Sequence, residues 1–110
     1  TKKGKFRVWI ASGWYVRSFE NDFNPVHHHT SCQISCLGFL KLPDDINEYW
    51  KEEDKDHNAS GGYTDFRHGT VGLSCNNNFK VKPKVGDIYM FPSWLDHMVY
   101  PFKGIYKYIY

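Results

Sequence analysis

Short runs of hydrophobic, aromatic and β-branched residues recur along the chain, separated by Gly, Pro, Asn and Asp. Because strands place alternate side chains on opposite faces, these runs predict β-strands joined by turns. We expect strands at Phe6–Ile10 and Trp14–Phe19 (a hairpin), Val26–Leu42, Thr70–Ser74, Phe79–Lys82, Ile88–Phe91, His97–Tyr100 and Ile105–Tyr110. Many short strands with almost no helix indicate an all-β sandwich or barrel.

The middle of the chain departs from this pattern. Residues 44–69 are polar, charged and rich in glycine, and only Ile46–Lys51 suggests a helical turn or two. We therefore predict one domain, 1–110, with a loop insertion at about 44–69. Loops of that length in compact domains are usually functional or disordered, so we expect this one to act as a lid that reads the substrate.

Composition narrows the class of protein. The 110 residues suffice for one core, and 18% of them are aromatic, which favours β structure. A net charge of +2 without a basic cluster argues against nucleic-acid or membrane binding. Three cysteines without a signal peptide suggest a reducing compartment, and we expect a cytoplasmic protein. The chain starts at Thr1 and stops inside a strand-like run, so we expect it to be a fragment.

Histidines supply the first candidate chemistry. On one strand His27 and His29 share a face and His28 takes the other, so the first two can chelate one metal ion. His97, at the start of a later strand, is the best candidate for a third ligand. Imidazole suits Zn, Fe, Cu and Ni, so the ligand type leaves the metal open. His57 and His68 lie in the polar middle, where we expect solvated side chains.

A lysine in the last strand is the second candidate. Alternation places Lys107 on one face with Ile105 and Ile109, and the tyrosines on the other. If the isoleucine face points inward, the buried ammonium group needs an anion such as a bound carboxylate. If the tyrosine face points inward, Lys107 is solvated. The alternation alone leaves both orientations open.

Two segments resemble a known family. Asn24–His29 with Ile34–Pro43 is similar to a Pro-x-His-x-His element followed by a strand that ends in Pro. Gly86–Phe102 matches a Gly-Asp…Phe-Pro-Ser-Trp-x-x-His-x-Val-x-Pro segment nearly position by position. Both resemble the 2-oxoglutarate/Fe(II) oxygenases of phages and bacteria, over roughly residues 5–43 and 70–110.

The resemblance implies a double-stranded β-helix, a jelly-roll or cupin-like barrel, that binds Fe(II) and 2-oxoglutarate and oxidises a substrate C–H bond. It implies iron ligation by His27, His29 and His97, and a basic residue about ten positions later that pairs with the cosubstrate carboxylate. Lys107 stands at that position and favours the inward orientation. Hydrogen bonds to the oxoacid are expected from Ser35 or Tyr89. Trp9, Trp14, Tyr15 and Phe39 are candidates to line the pocket, although we expect each of them to belong to the aromatic core.

Two departures from the family pattern keep other interpretations open. The wider superfamily uses His-x-Asp/Glu where this chain has His-x-His, so Gln33 and Asp96 are weaker candidates for the third ligand. Lys107 also replaces the more common Arg and offers a point charge instead of a bidentate fork. The alternatives are a three-histidine dioxygenase that does not use 2-oxoglutarate, and a non-enzymatic barrel that binds a partner or belongs to a larger assembly. No motif identifies the substrate.

Overall fold

The computed structural model describes residues 3–104 and 107–110, which form mostly β structure with one short helix. The elements in chain order are β1 Arg17–Ser18, β2 Asn24–His27, β3 Ile34–Gly38, α1 Ile46–Asp56, β4 Thr64–Arg67, β5 Asn78–Val81, β6 Ile88–Pro92, β7 Asp96–Val99 and β8 Tyr108–Ile109. Strands were predicted at β5, β6 and β7, and the structure confirms them there.

Other predicted boundaries are wrong. The run Val26–Leu42 is divided between β2 and β3, because the chain turns between them and Ser31 takes a φ of 63°. The run Phe6–Ile10 forms no ladder, and its side chains are exposed, so the predicted hairpin is absent from the described residues. A strand pattern needs a pairing partner, and this run has none in the structure.

The strands form an arrangement like a jelly-roll sandwich. One sheet has the antiparallel order β2-β7-β4-β5. The pairs β1-β8 and β3-β6 are joined by a bridge between Lys41 and Ile109, where the backbone N–H of Leu40 also donates to the Ile109 carbonyl. This bridge extends the second layer to β1-β8-β3-β6. Neighbouring strands are far apart in sequence, which is typical of Greek-key connections.

Aromatic rings fill the space between the two layers. Phe66 on β4 lies 4.9 Å from Phe91 on β6, and Phe39 lies 6.3 Å from Tyr108 on β8, measured between ring centroids. Offset and edge-on pairs at these separations are the favoured geometries for aromatic side chains. The high aromatic content of the sequence is therefore used mainly in one shared core.

The middle region is not the single loop that we predicted. It contains α1, eleven residues long, and then β4. Ile46 and Trp50, one helical turn apart, are buried, and the indole of Trp50 donates to the Gly61 carbonyl at 2.8 Å. The helix is polar over most of its surface, so packing of these two side chains, more than its weak apolar period, stabilises it. Among the described residues, no helix is long and apolar enough to cross a membrane.

The strand register divides the connections between two ends of the sandwich. Asn24 pairs with Val99 at one end of β2, and His27 pairs with His97 at the other. Connections 28–33, 68–77 and 93–95 therefore lie at what we call the histidine end. The segment with α1 enters β4 at Thr64, which pairs with Val99 at the opposite end. The prediction that residues 44–69 form a lid over the histidines is therefore wrong.

Candidate metal centre

Three histidines converge where β2 and β7 pair. His27 and His97 are register partners, with ring centroids 4.3 Å apart, and His29 lies 5.2 Å from His27 and 5.0 Å from His97. One ligand atom from each ring lies within 4.8 Å of the other two. Imidazole nitrogens about 2.1 Å from a shared metal are about 3 Å apart at right angles, so small ring movements complete a site. The predicted set His27, His29 and His97 is the one that the structure brings together.

Backbone carbonyls orient two of the three rings. Nδ1 of His27 lies 2.7 Å from the Pro25 carbonyl oxygen, and Nδ1 of His97 lies 3.0 Å from the Leu95 carbonyl oxygen. A carbonyl oxygen only accepts, so each Nδ1 carries the proton and each Nε2 keeps its lone pair. A hydrogen bond from the ring nitrogen that does not bind the metal is the usual way in which proteins orient a metal-binding imidazole.

Burial and mutual repulsion favour the neutral form of His97 and His29 over the charged form. Burial lowers the pKa of His97, and the nearby His27 and His29 lower it further, while the Leu95 carbonyl and Asp96 partly oppose them. Burial also lowers the pKa of His29, with added repulsion from His27 and His28. Metal binding requires unprotonated imidazoles, so these shifts favour the form that can ligate.

The cluster has an apolar wall on its inner side. The His97 ring lies 4.9 Å from Phe91 and 6.0 Å from Phe66, and its side chain is almost completely buried. On the open side, the exposed indole of Trp14 lies 5.4 Å from the His29 ring. Of the aromatic residues predicted to line a pocket, Trp14 reaches the histidines. Phe39 belongs to the core, and Trp9 and Tyr15 are exposed.

The weaker ligand candidates lie outside the cluster. Nδ1 of His28 lies 3.3 Å from a carboxylate oxygen of Asp96, and both side chains are more than half exposed. Gln33 is exposed, and its backbone carbonyl accepts from the Ser93 N–H. Within the part of the chain that the structure describes, the one group of His, Cys, Asp and Glu close enough to share a metal is the histidine trio.

The orientation of β8 differs from the one that we favoured. Tyr108 is fully buried and Tyr110 nearly so, whereas Lys107 is exposed. The ammonium nitrogen of Lys107 lies 5.8 Å from the Phe19 ring centroid. The prediction of an inward Lys107 is therefore wrong, because the bulkier tyrosines occupy the core. Ile105, predicted on the same face, lies outside the described residues.

The other two predicted cosubstrate residues do face inward. Ser35 on β3 is buried and pairs in register with Phe91, and its hydroxyl oxygen lies 3.8 Å from Cys32 Sγ. Tyr89, two residues before Phe91, is half-buried on the same face. Both side chains thus belong to the layer that carries the aromatic wall of the cluster.

No pattern in the sequence predicted which loop borders the site. Residues 68–77 lie at the histidine end, and His68 at their start lies 5.0 Å from the Trp94 ring. The predicted strand Thr70–Ser74 is instead part of this loop, in which Gly72 and Cys75 form a single bridge. His57 and His68 are exposed, as expected. Only the pairing of β4 with β7 reveals that this loop borders the site.

Comparison with known proteins agrees with this geometry. A family model described as "Putative 2OG-Fe(II) oxygenase" matches residues 12–107, which is most of the chain. The chain belongs to this oxygenase family. No curated protein and no solved structure matches it significantly. The three neighbouring histidines are compatible with the metal that the family name implies.

Proposed function

We propose that this family member is an oxygenase that binds Fe(II) through Nε2 of His27, His29 and His97 in a double-stranded β-helix. The observation that carries the proposal is the pair of Nδ1 bonds to the Pro25 and Leu95 carbonyls. These bonds leave Nε2 of His27 and His97 free to ligate before any metal arrives. The substrate remains open at this level.

Each part of the chain has a defined task in this proposal. The histidines hold the metal and leave coordination positions free for small ligands. Phe66 and Phe91 keep water from the inner side of the cluster, since their rings pack directly against His97. Bound Fe(II) would activate O₂ with 2-oxoglutarate as the electron donor, and O₂ would supply the oxidising equivalents for attack on a substrate C–H bond. The protein would position the substrate beside the metal and exclude water from the inner side of the site.

For the cosubstrate, we propose hydrogen bonds from Ser35 and Tyr89. Their side chains face inward beside Phe91, and a hydroxyl donates well to a carboxylate. Lys107 remains a candidate from the family resemblance, but its exposed position argues that it contributes little. Loss of a hydrogen bond to a charged group costs about 1.5–3 kcal/mol, so each hydroxyl is expected to contribute about tenfold or more in affinity.

The test is an anaerobic titration. Protein loaded with Fe(II) receives 2-oxoglutarate, and the weak visible charge-transfer band of the chelate is followed. We expect the band in the unmodified protein, weaker 2-oxoglutarate binding in Ser35→Ala and Tyr89→Phe, and unchanged binding in Lys107→Ala. A rise of tenfold or more in the Kd of Lys107→Ala would show that this ammonium reaches the carboxylate and that β8 turns in the complex.

One observation favours a second candidate, a three-histidine dioxygenase that acts without 2-oxoglutarate. The inward side chains of the described strands are uncharged, so no Lys or Arg among them offers a partner for a distal carboxylate. The inward residues are Ser18, His27, Ser35, Leu37, Thr64, Phe66, Val81, Tyr89, Phe91, His97, Val99 and Tyr108. Iron binding and oxygen consumption without the charge-transfer band or succinate would support this candidate. Failure to bind iron would contradict both.

A further inference from the structure

The rim of the histidine end carries an unusual composition. Connections 28–33, 68–77 and 93–95 contain no Lys, Arg, Asp or Glu, although charged residues make up 24% of the chain. The four connections at the opposite end, residues 19–23, 39–63, 82–87 and 100–104, all contain charged residues. Among these connections, the three that lack charged residues are those at the end where the metal would bind.

The nearest charges on the strands already have partners. Arg67, the last residue of β4, donates from Nε and Nη2 to Asp65 at 3.0 and 2.9 Å. Asp96, the first residue of β7, faces His28 on the outer side of the sheet. A substrate that approaches the histidines between these loops therefore meets no fixed charge on the loops themselves.

Apolar side chains stand exposed on the same rim. Leu73 and Val71 project from the loop 68–77, and Leu73 is fully exposed. Trp94 and Trp14 are each more than half exposed, and Trp14 touches His29. Exposed apolar groups that cluster around a site usually mark a binding surface for apolar ligands.

Several backbone groups of the rim are already hydrogen-bonded. The His29 N–H donates to the Ser93 carbonyl at 2.9 Å, and the Ser93 N–H donates to the Gln33 carbonyl at 3.0 Å. In the longer loop, His68 donates to Asn77 at 2.9 Å. Recognition of an extended peptide uses free main-chain groups, and these bonds remove several of them. Contact through side chains with a small molecule fits this rim better.

We propose that the substrate of this site is a small, uncharged, apolar organic molecule that enters between Trp14, Trp94 and the loop 68–77. The inference rests on the proposed function and specifies its substrate class. Burial of an ionised group against this rim would leave the charge without a partner, which is costly. The rim therefore selects neutral molecules over charged ones of equal size.

Three probes of one shape test this inference by NMR: 3-phenylpropanamide, 3-phenylpropanoate and 3-phenylpropylamine. Methyl signals of Val71 and Leu73 and the indole N–H signals of Trp14 and Trp94 report binding. We expect the neutral amide to bind at least tenfold more tightly than either charged probe. The charged probes are compared in metal-free protein, because the carboxylate and the amine can themselves ligate a metal.

Two matched variants locate the effect. Leu73→Asp places a carboxylate on the rim and is expected to weaken amide binding at least tenfold. Ile88→Asp changes an exposed apolar residue on β6 and should leave amide binding unaltered. The inference is overturned if a charged probe binds as tightly as the amide, or if Leu73→Asp and Ile88→Asp weaken amide binding equally. If an unstructured Phe-containing peptide binds more tightly than the amide, the substrate is a peptide instead.

A separate signal keeps this test independent of the proposed function. Zn(II), used as a diamagnetic substitute for Fe(II), shifts the side-chain nitrogen resonances of the three ligand histidines when it binds. Metal binding without discrimination among the probes refutes the substrate class alone. Absence of any shift at the histidines refutes the metal centre, whatever the probes do.

Discussion

Removal of one ligand histidine should abolish most of the metal affinity, while removal of the histidine between the ligands should not. His27 and His29 face the cluster, and His28 faces Asp96 on the other side of the sheet. The pair His29→Ala and His28→Ala therefore compares two adjacent positions with opposite expectations. His97→Ala is the third variant, at the buried position.

The magnitude follows from the number of ligands. A four-ligand structural zinc site contributes about 10–16 kcal/mol, or about 2.5–4 kcal/mol per ligand. Since about 1.4 kcal/mol corresponds to a tenfold change, loss of one of three histidines should weaken binding by about 10²–10³-fold. For His28→Ala we expect less than about threefold, because exposed ion pairs contribute about 0–1 kcal/mol.

The assay is competition for Fe(II) or Zn(II) with a chromophoric chelator at pH 7.5. Thermal unfolding of each variant without metal controls for loss of fold, which matters for His97→Ala because its ring packs against Phe66 and Phe91. The reasoning is refuted if His28→Ala loses as much affinity as His29→Ala while both remain folded. In that case the alternation of faces around β2 does not define the ligand set.

Three stability predictions concern the opposite end of the molecule, each measured by urea denaturation. Tyr108→Phe should lower the free energy of unfolding by about 1–3 kcal/mol, because the Tyr108 hydroxyl donates to the buried Gly62 carbonyl. Lys107→Ala should change it by less than about 0.5 kcal/mol. The reverse order would mean that Lys107 faces the core. Gly62→Ala should lower the free energy of unfolding more than Gly69→Ala does. Both glycines have positive φ, but only at Gly62 would a Cβ come within 3.1 Å of the Tyr108 ring. Equal losses of stability would refute that contact. Burial would raise the pKa of Glu53, but hydrogen bonds from two backbone N–H groups and a tyrosine hydroxyl lower it overall. Glu53→Gln should therefore lower the free energy of unfolding by about 1–2 kcal/mol at pH 7, and by progressively less as the pH falls below 4.5. A loss of stability that does not vary with pH would contradict this.

Local alternation was enough to predict which two of the three adjacent histidines lie together. His27 and His29 were expected on one face with His28 on the other, and the structure has this arrangement. The reason is that a period of two is a property of extended backbone and does not depend on what the strand packs against. His97 was a candidate because it opens a later strand, and the register of β2 with β7 places it opposite His27.

Which face of a strand points inward was not a local property. In the last strand both faces are apolar, one with isoleucines and one with tyrosines, so alternation showed which residues belong together and no more. The large Tyr108 ring fills space beside Phe39 and Phe102, and that packing decides the orientation of β8. Lys107 is consequently exposed, against the expectation from the family pattern.

The sequence alone therefore predicted a mostly β fold, the oxygenase family and the group of three histidines that the structure brings together, because short-range patterns and a specific motif carry that information. Only the tertiary structure decided where the connections meet. It moved the segment with α1 to the end away from the histidines and brought the uncharged loop 68–77 beside them, through the pairing of β4 with β5 and β7. Such pairings join residues far apart in the chain, and their energies depend on the whole core, so no local pattern specifies them.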